Sequence, residues 1–324
     1  TNTNIGSGRV DFNTVSGTTN TNIIFSDNGT VNLLNGLTGD INFAGKDATV
    51  NVSDGKGILG SVQTLASNNT GIINYQGDGT ISGNSINSGA SGIKELNINT
   101  ANQQNSGGPG LVIGYTALAR ELYADVVNLR NNATLTLKDN VNLINTGSDN
   151  IIITVGATDA TNTGTLTFQG TSNITGEVGQ SNKVLNTINA GATGKTVTFD
   201  DIVYASTLKY SDDGKVVLNG DNNSNASAEG MIGTVNFDNK AGTLAIGDDV
   251  NLTVGAAGTQ FVNGNNAILE FDGSSIITGI LGGNTAVNST FEEIYAGADN
   301  KTVTFKNDVY VKESTFHVSG EGTV

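Results

Sequence analysis

Residues 164–176 read GTLTFQGTSNITG, and residues 267–279 read AILEFDGSSIITG. The likeness continues downstream, where KTVTF occurs at residues 195–199 and again at residues 301–305. The second copy of each stretch lies 103 to 106 residues after the first. Self-similarity on this scale predicts an array, in which each unit buries its apolar face against the next unit.

The repeat extends upstream and has a weaker third copy. Residues 133–143 (ATLTLKDNVNL) match residues 242–252 (GTLAIGDDVNL), and a thinner version occurs at residues 48–58 and 70–83. We therefore expect one continuous array over residues 1–324. Its internal units are expected at residues 48–132, 133–241 and 242–324.

Short alternating runs recur along the chain. In TLTF (165–168) and TVTF (196–199), Thr points to one side of a strand, while Leu or Val and then Phe point to the other. Clusters of Gly, Asn, Asp and Ser separate the runs and predict turns. The pattern predicts an all-β fold in which each strand has one buried face. Further runs occur at residues 48–52, 72–75, 134–137, 151–155, 234–237, 243–246, 268–271, 302–305 and 315–318.

Three all-β architectures compete for such a sequence: the sandwich, the propeller and the solenoid. A propeller needs a period of about 40–50 residues with aromatic blade signatures, and neither is found. A sandwich stays open as an alternative if each repeat is a domain. We predict an elongated single parallel β-solenoid, with about 20–25 residues in each coil and about 13–16 coils in all.

Two segments depart from the strand pattern. Residues 115–125 (YTALARELYAD) place Leu118 and Leu122 four residues apart, so a short helix and a strand are equally open there. Residues 107–110 (GGPG) contain the only proline and predict a loop that bulges from the solenoid.

Composition favours turns and strands over helices. The 324 residues include 45 Asn, 41 Thr and 44 Gly, which are poor helix formers. The net charge of −15 and the lack of a basic stripe argue against nucleic acid as a partner. Cysteine is absent, which excludes thiolate metal sites. We expect no signal peptide in this stretch and no apolar run long enough for a membrane helix, and we expect a fragment of a longer protein.

Several of these stretches resemble a known family. Residues 269–279 (LEFDGSSIITG), 166–176 (LTFQGTSNITG), 190–199 (AGATGKTVTF) and 308–311 (DVYV) resemble the passenger regions of rickettsial outer-membrane surface antigens, which are autotransporters of the outer membrane protein A and B type. The resemblance is clearest over residues 133–324. It implies a right-handed β-helix that is displayed on the bacterial surface or released, with a translocator domain outside this chain as the only link to the membrane.

The resemblance also implies what the segment does. Such passengers are non-enzymatic adhesins and invasins toward host cells and serve as surface antigens. The expected partner is therefore a host cell-surface protein, with self-association as a second mode. The family brings no catalytic, cofactor-binding or metal-binding residues, and the partner-binding residues stay unknown. A self-associating surface-layer or biofilm module is the alternative function, followed by a carbohydrate-active β-helix enzyme.

The candidate catalytic and metal-binding residues are expected to have structural roles instead. His317, the only histidine, would have to serve any Ser-His-Asp catalysis, and it is expected on the exposed side of a strand, opposite Phe316 and Val318. Four acidic pairs are expected to be solvated turn residues rather than general acids, although a single calcium ion at a turn stays open. The pairs are Asp200/Asp201, Asp212/Asp213, Asp248/Asp249 and Glu292/Glu293.

Thr-x-Thr motifs and recurrent tyrosines form two further patterns. The motifs are spaced by 31, 31 and 106 residues, which is too irregular for an ice-binding array, so we expect the polar face of amphipathic strands. Tyr75, Tyr204 and Tyr310 are expected to stack in the interior with the phenylalanines. The motifs begin at Thr134, Thr165, Thr196 and Thr302.

Overall fold

The computed structural model is all-β. Its parallel strands stack into a β-solenoid of about 11 turns, and the residues that it describes contain no helix. The predicted parallel β-solenoid is therefore confirmed. The described residues are 1–13, 20–64, 69–83, 91–101, 110–114, 120–156, 159–220, 229–255, 258–283, 290–312, 315–318 and 321–324.

The chain divides into two compact units, Thr1–Thr167 and Phe168–Val324. Over its described residues, the first unit contains short parallel strands, the last of which ends at Phe168. These strands are β1 (Asn2–Ile5), β2 (Arg9–Phe12), β3 (Asn22–Phe25), β4 (Thr30–Leu33), β5 (Leu37–Thr38), β6 (Ile41–Asn42), β7 (Thr49–Val52), β8 (Lys56–Leu59), β9 (Val62–Gln63), β10 (Ile72–Tyr75), β11 (Gly79–Ser82), β12 (Ile93–Ile98), β13 (Gly110–Ile113), β14 (Arg120–Leu129), β15 (Thr134–Leu137), β16 (Val141–Asn145), β17 (Ile151–Val155) and β18 (Thr163–Phe168).

The second unit has the same character. Its strands also pair in parallel, from one coil to the next. The strands in its described residues are β19 (Ser172–Thr175), β20 (Glu177–Val178), β21 (Leu185–Ala190), β22 (Thr196–Phe199), β23 (Val203–Tyr210), β24 (Lys215–Leu218), β25 (Met231–Asn236), β26 (Thr243–Ile246), β27 (Leu252–Thr253), β28 (Thr259–Val262), β29 (Ile268–Phe271), β30 (Ser275–Thr278), β31 (Glu293–Ala296), β32 (Val303–Phe305) and β33 (Phe316–Val318).

Coil length varies while the register between coils is kept. Thr30 pairs with Thr49, Thr49 with Ile72, Ile72 with Glu95, and Glu95 with Val126, in steps of 19, 23, 23 and 31 residues. The expected 13–16 coils are wrong, because coils with extended turns use more residues than the predicted 20–25 and the chain makes about 11 turns.

Each strand places alternate side chains in the interior. In β7, β10, β15, β22 and β29, an outward-facing residue alternates with a buried apolar residue. These are the runs whose two-residue period is visible in the sequence. Burial of one such side chain stabilises the fold by about 1.5–3 kcal/mol.

Aromatic rings pack along the interior of each unit. In the first unit, Phe25 stacks on Phe43 with ring centroids 5.3 Å apart. In the second unit, Tyr210 stacks on Phe237 at 4.7 Å, and Phe237 meets Phe291 edge-on at 5.8 Å. These contacts connect coils through the core as well as through the backbone.

Residues 120–125 form a strand, which is one of the two alternatives that the sequence left open there. They belong to β14, where Leu122 and Ala124 are buried in alternation and Leu122 pairs with Leu143 of β16. The parallel pairing with β16 gives the backbone of β14 its hydrogen bonds. Two leucines four residues apart are too weak a signal to favour a helix over that pairing. The rest of the segment, residues 115–119, lies outside the described residues. So do residues 107–109 of the predicted loop, whose last residue, Gly110, begins β13.

Left-handed turn positions explain part of the high asparagine content. Of the twelve described non-glycine residues with positive φ, nine are Asn, two are Asp and one is Ala. Asn and Asp adopt this conformation more readily than other residues, because their short polar side chains bond to the nearby backbone. The turns therefore keep a polar side chain where a glycine would have none.

Gly71 is a turn position where conformation and space both require glycine. Its φ is +85°, and a Cβ there would lie 2.3 Å from the Phe43 ring. We expect Gly71→Ala to lower the free energy of unfolding by about 2–4 kcal/mol, because the left-handed conformation and the clash each cost stability. Urea unfolding followed by circular dichroism measures the change.

Gly55→Ala is the matched control. Gly55 also has a positive φ, of +70°, but its Cβ position faces open space. This variant should lose only about 1–2 kcal/mol, the cost of the conformation alone. Equal losses in the two variants would contradict a role for the contact with Phe43.

Candidate functional site

A ladder of asparagine side chains runs along the first unit, on the strand faces opposite the apolar core. Each Nδ2 donates to the Oδ1 of the asparagine one coil earlier, at 2.8–2.9 Å. Every amide group in the ladder therefore points in the same direction. The members are Asn32, Asn51, Asn74, Asn97 and Asn128.

Asp11 closes this ladder at one end. Asn32 Nδ2 donates to Asp11 Oδ1 at 2.5 Å, and Arg9 Nε donates to the same oxygen at 3.0 Å. The two hydrogen bonds, that of Asn32 first, hold the pKa of the Asp11 carboxyl below its usual value. A carboxylate suits the position, because it accepts hydrogen bonds and has no N–H group of its own to satisfy.

Removal of a middle member of the ladder should cost more than removal of an isolated pair. Asn74→Ala takes a hydrogen-bond acceptor from Asn97 and a donor from Asn51. We expect the free energy of unfolding to fall by about 1–3 kcal/mol, the contribution of two hydrogen bonds. Asn35→Ala, which removes one exposed bond to Asn13, should change it by about 0.5 kcal/mol or less. Similar urea midpoints for the two variants would contradict cooperation along the ladder.

Turn aspartates also bond one coil to the next. Asp54 Oδ1 accepts the Asp78 N–H at 2.8 Å, and Asp78 Oδ1 accepts the Gly110 N–H at 2.7 Å. Each carboxylate thus satisfies a backbone donor of the following coil. These acids have a structural use that an acidic turn sequence alone does not reveal.

The acidic pairs singled out in the sequence take part in similar bonds. Asp213 and Asp248 each accept a backbone N–H of the following coil at 2.7 Å. Asp201 is only 4% exposed and accepts the Ile202 N–H at 2.7 Å, so its prediction as a solvated residue is wrong. Its carboxylate turns back onto the backbone of its own turn. Over the described residues, no group of three or more His, Cys, Asp or Glu is placed to hold a metal ion.

Asp248 connects to two later coils. It accepts the Ser274 N–H of the next coil, and the Lys301 Nζ of the coil after that donates to its Oδ2. Lys301 is the main cause of the lowered pKa of the Asp248 carboxyl, followed by the Ser274 N–H. The same contact raises the pKa of Lys301.

The stability of the fold should fall in acid. The folded-state pKa values of Asp11, Asp212 and Asp248 lie below the ordinary value of 3.8, so the unfolded chain takes up protons first as the pH falls. Their contribution is therefore present above the unfolded pKa and is lost as the pH falls through the lowered folded pKa.

Asp248→Asn isolates one part of this dependence. The amide oxygen can still accept the Ser274 N–H, but the charge beside Lys301 is gone. We expect the urea midpoint of the wild type to fall more steeply than that of the variant between about pH 6 and about pH 2.5. Parallel curves would show that the ion pair with Lys301 contributes nothing.

His317 lies on β33 with its side chain half-exposed. The predicted alternation with an inward Phe316 and Val318 is wrong, because Phe316 is only half-buried and Val318 is 54% exposed. Its ring stacks on Tyr295 with centroids 4.4 Å apart, and its Nε2 lies 3.9 Å from Glu293 Oε2. The Tyr295 hydroxyl donates to the same carboxylate, and this hydrogen bond raises the pKa of Tyr295. The three side chains form a contact between neighbouring coils on the outer face.

The tyrosines predicted to stack inside do not behave alike. Tyr75 is fully buried, which confirms its predicted interior position. Tyr204 follows the buried Val203 in β23 and faces outward, and Tyr310 is 48% exposed, so both predictions are wrong. The two-residue period of a strand places the neighbour of a buried residue outside. Tyr210, at an inward position of β23, is the interior tyrosine of that region.

The threonines of the Thr-x-Thr motifs in β15, β18 and β22 alternate with buried residues. This confirms their prediction as the polar face of amphipathic strands. Thr196 and Thr198 pair in parallel with Lys215 and Val217 of the next coil. In the coil before, Asn173 lies beside Thr198, so no column of threonines passes through β22 at that position.

The second unit carries a polar groove on the outer side of β27, β30 and β32, which pair in parallel as a three-stranded sheet. We call it the three-strand groove; its volume is about 420 Å³. Sequence reasoning missed it, although an apolar residue at an outward position of SIIT (275–278) was a signal. The lining residues are Asp249, Asn251, Ser274, Ser275, Ile276, Thr302 and Thr304.

Comparison with protein-family models, with curated proteins and with solved structures found no match. Over the described residues, no helix has the length and apolarity needed to cross a membrane. The fold, the bonds between coils and the three-strand groove are therefore the observations from which a function is inferred.

Proposed function

We propose that residues 1–324 belong to the passenger of a bacterial autotransporter, displayed on the cell surface or released from it. The segment attaches to a host cell-surface protein and catalyses no reaction. The observation that carries this proposal is a parallel stack of coils whose outer polar side chains bond one coil to the next. Such a stack presents lateral surface rather than a single enclosed pocket.

The stretches that resemble the surface antigens are the ones that build these coils. Residues 165–168 and 268–271 lie in β18 and β29. Residues 172–175 and 275–278 form β19 and β30. The resemblance thus concerns the strands of the solenoid itself, which supports a passenger of the same architecture.

The use of the acidic residues supports attachment over catalysis. Asp54, Asp78, Asp213 and Asp248 all accept backbone hydrogen bonds from the following coil. Each of these bonds engages a carboxylate oxygen with the backbone of the solenoid itself. For Asp248, the bonds from Lys301 and Ser274 also hold the pKa below its usual value, whereas a general acid needs a pKa close to the working pH. These residues are therefore better suited to holding coils together than to cleaving a polysaccharide.

The net negative charge argues for specific contacts rather than general electrostatic attraction to the partner. At −15, the chain repels anionic lipid and nucleic acid, so attachment depends on short-range contacts at specific sites. Attachment through specific contacts is saturable and can be competed. A non-specific electrostatic attachment would have neither property.

Binding to cultured host cells tests the proposal. The purified chain, labelled with a fluorophore and shown by circular dichroism to be β-rich, is titrated onto the cells with and without an excess of unlabelled chain. We expect saturable binding that the unlabelled chain competes away. The same chain after irreversible unfolding is the control, and it should not bind in this manner.

A folded chain that fails to bind would overturn the proposed attachment. Analytical ultracentrifugation of the same sample then examines the alternative. Concentration-dependent assembly without cell binding would support a self-associating surface layer, in which the partner is a second copy of the chain.

A further inference from the structure

Several polar groups of the three-strand groove are not engaged by the protein itself. Within the described parts of the chain, the Asp249 carboxylate and the hydroxyls of Thr302 and Thr304 have no hydrogen-bond or ion-pair partner. All three residues are exposed. Asp248, the sequence neighbour of Asp249, is instead bonded to two other coils.

In two further lining residues, Asn251 and Ser274, the side chain accepts one hydrogen bond and still has a donor available. Asn251 Oδ1 accepts the Ile276 N–H at 2.9 Å, which leaves the Asn251 amide free to donate. Ser274 Oγ accepts the Thr302 N–H at 3.2 Å, which leaves the Ser274 hydroxyl hydrogen. The groove thus offers donors and acceptors together, and one of the acceptors is charged.

Ile276 adds an apolar contact to this polar set. It is 40% exposed and lies beside Thr304 across the parallel pair of β30 and β32. In the earlier copy of the repeat, Thr198 corresponds to Thr304, and the residue beside it is Asn173 instead of an isoleucine. The apolar residue is therefore specific to the groove and not a feature of every coil.

This combination matches the surface of a sugar ring. The hydroxyls of a saccharide both donate and accept hydrogen bonds, so they can satisfy an amide, hydroxyls and a carboxylate at once. One ring face presents C–H groups that can pack on an exposed aliphatic side chain. A volume of about 420 Å³ lies within the usual range for small-molecule sites, about 300–1,000 Å³.

The charges narrow the class of saccharide. Lys301 lies close enough to Asp249 to interact with its charge, but Lys301 forms its ion pair with Asp248. An anionic sugar would meet this unpaired carboxylate and a chain of net charge −15. A neutral hydroxyl can instead donate to the carboxylate, and such charge-assisted hydrogen bonds are about twice as strong as neutral ones.

We propose that the three-strand groove binds a neutral saccharide unit carried by a host cell-surface glycoprotein. This rests on the proposed function for its partner, while binding of the sugar itself can be measured on the purified chain alone. It assigns the polar contacts to Asp249, Asn251, Thr302 and Thr304, and the apolar contact to Ile276. No bond is made or broken in the bound sugar.

The first experiment is a glycan array probed with the labelled chain. Neutral oligosaccharides built from galactose, glucose, mannose and N-acetylhexosamines are compared with sialylated and sulfated ones. Neutral oligosaccharides that bind are then titrated in solution by saturation-transfer difference NMR. We expect binding to neutral members of the array and weaker binding to their acidic counterparts.

Substitutions then locate the site. The double variant Thr302→Val, Thr304→Val removes two hydroxyls and keeps the shape and strand preference of the side chains. Asp249→Asn removes the charge of the side chain. The backbone φ of +60° at this position is tolerated by Asn as well, so the fold should be kept. We expect each variant to bind the sugar about tenfold more weakly, because hydrogen bonds to it are lost or lose their charge.

The repeat provides the matched control. Thr196→Val, Thr198→Val makes the same change at the equivalent positions of β22, where Asn173 stands in place of Ile276. This variant should bind the sugar as the wild type does. Urea midpoints of all variants establish that they are folded to the same extent.

The outcomes separate the two proposals. No saccharide binding, or binding that the groove variants and the β22 variant weaken equally, would overturn the assignment of the groove. Cell binding that persists in the groove variants and on enzymatically deglycosylated cells would leave attachment standing and reject the groove. Saccharide binding without cell binding would keep the groove and reject attachment to host cells.

Discussion

Parallel stacking in register is the constraint on which the rest of this structure depends. Each strand pairs with the equivalent strand of the coils before and after it, so equivalent side chains lie about 4.8 Å apart along a unit. An outward polar group therefore lies beside the equivalent position of the next coil, and many such groups bond to it. Asparagine suits this demand, because its amide both donates and accepts and its backbone also adopts the left-handed turns.

The same constraint decides what the acidic residues do. Turn carboxylates such as Asp54 and Asp213 accept backbone hydrogen bonds from the following coil, so much of the negative charge also serves cohesion. Asp249 differs from these acids, because within the described residues its carboxylate accepts no hydrogen bond from another coil.

The sequence predicts the strands well because their signal is local. TVTF alternates between polar and apolar side chains, and the structure buries Val197 and Phe199 accordingly. The sequence predicts Tyr204 wrongly, because one aromatic side chain does not reveal which face it occupies until Val203 is placed inside.

The three-strand groove and the asparagine ladder have no local signal in the sequence. Their members come from different coils, and coil lengths of 19 to 31 residues hide the alignment from any fixed period.

The asparagine ladder gives the first unit an electrical polarity that its backbone lacks. Its amide dipoles all point the same way, with their N–H ends toward Asp11, so they add along the stack as peptide dipoles add along an α-helix. The carboxylate of Asp11 lies at the positive pole, where an acidic residue would lie at a helix N-terminus. A set of side chains on a solenoid thus reproduces a macrodipole together with its cap, and the two ends of one continuous row of identical residues are not equivalent.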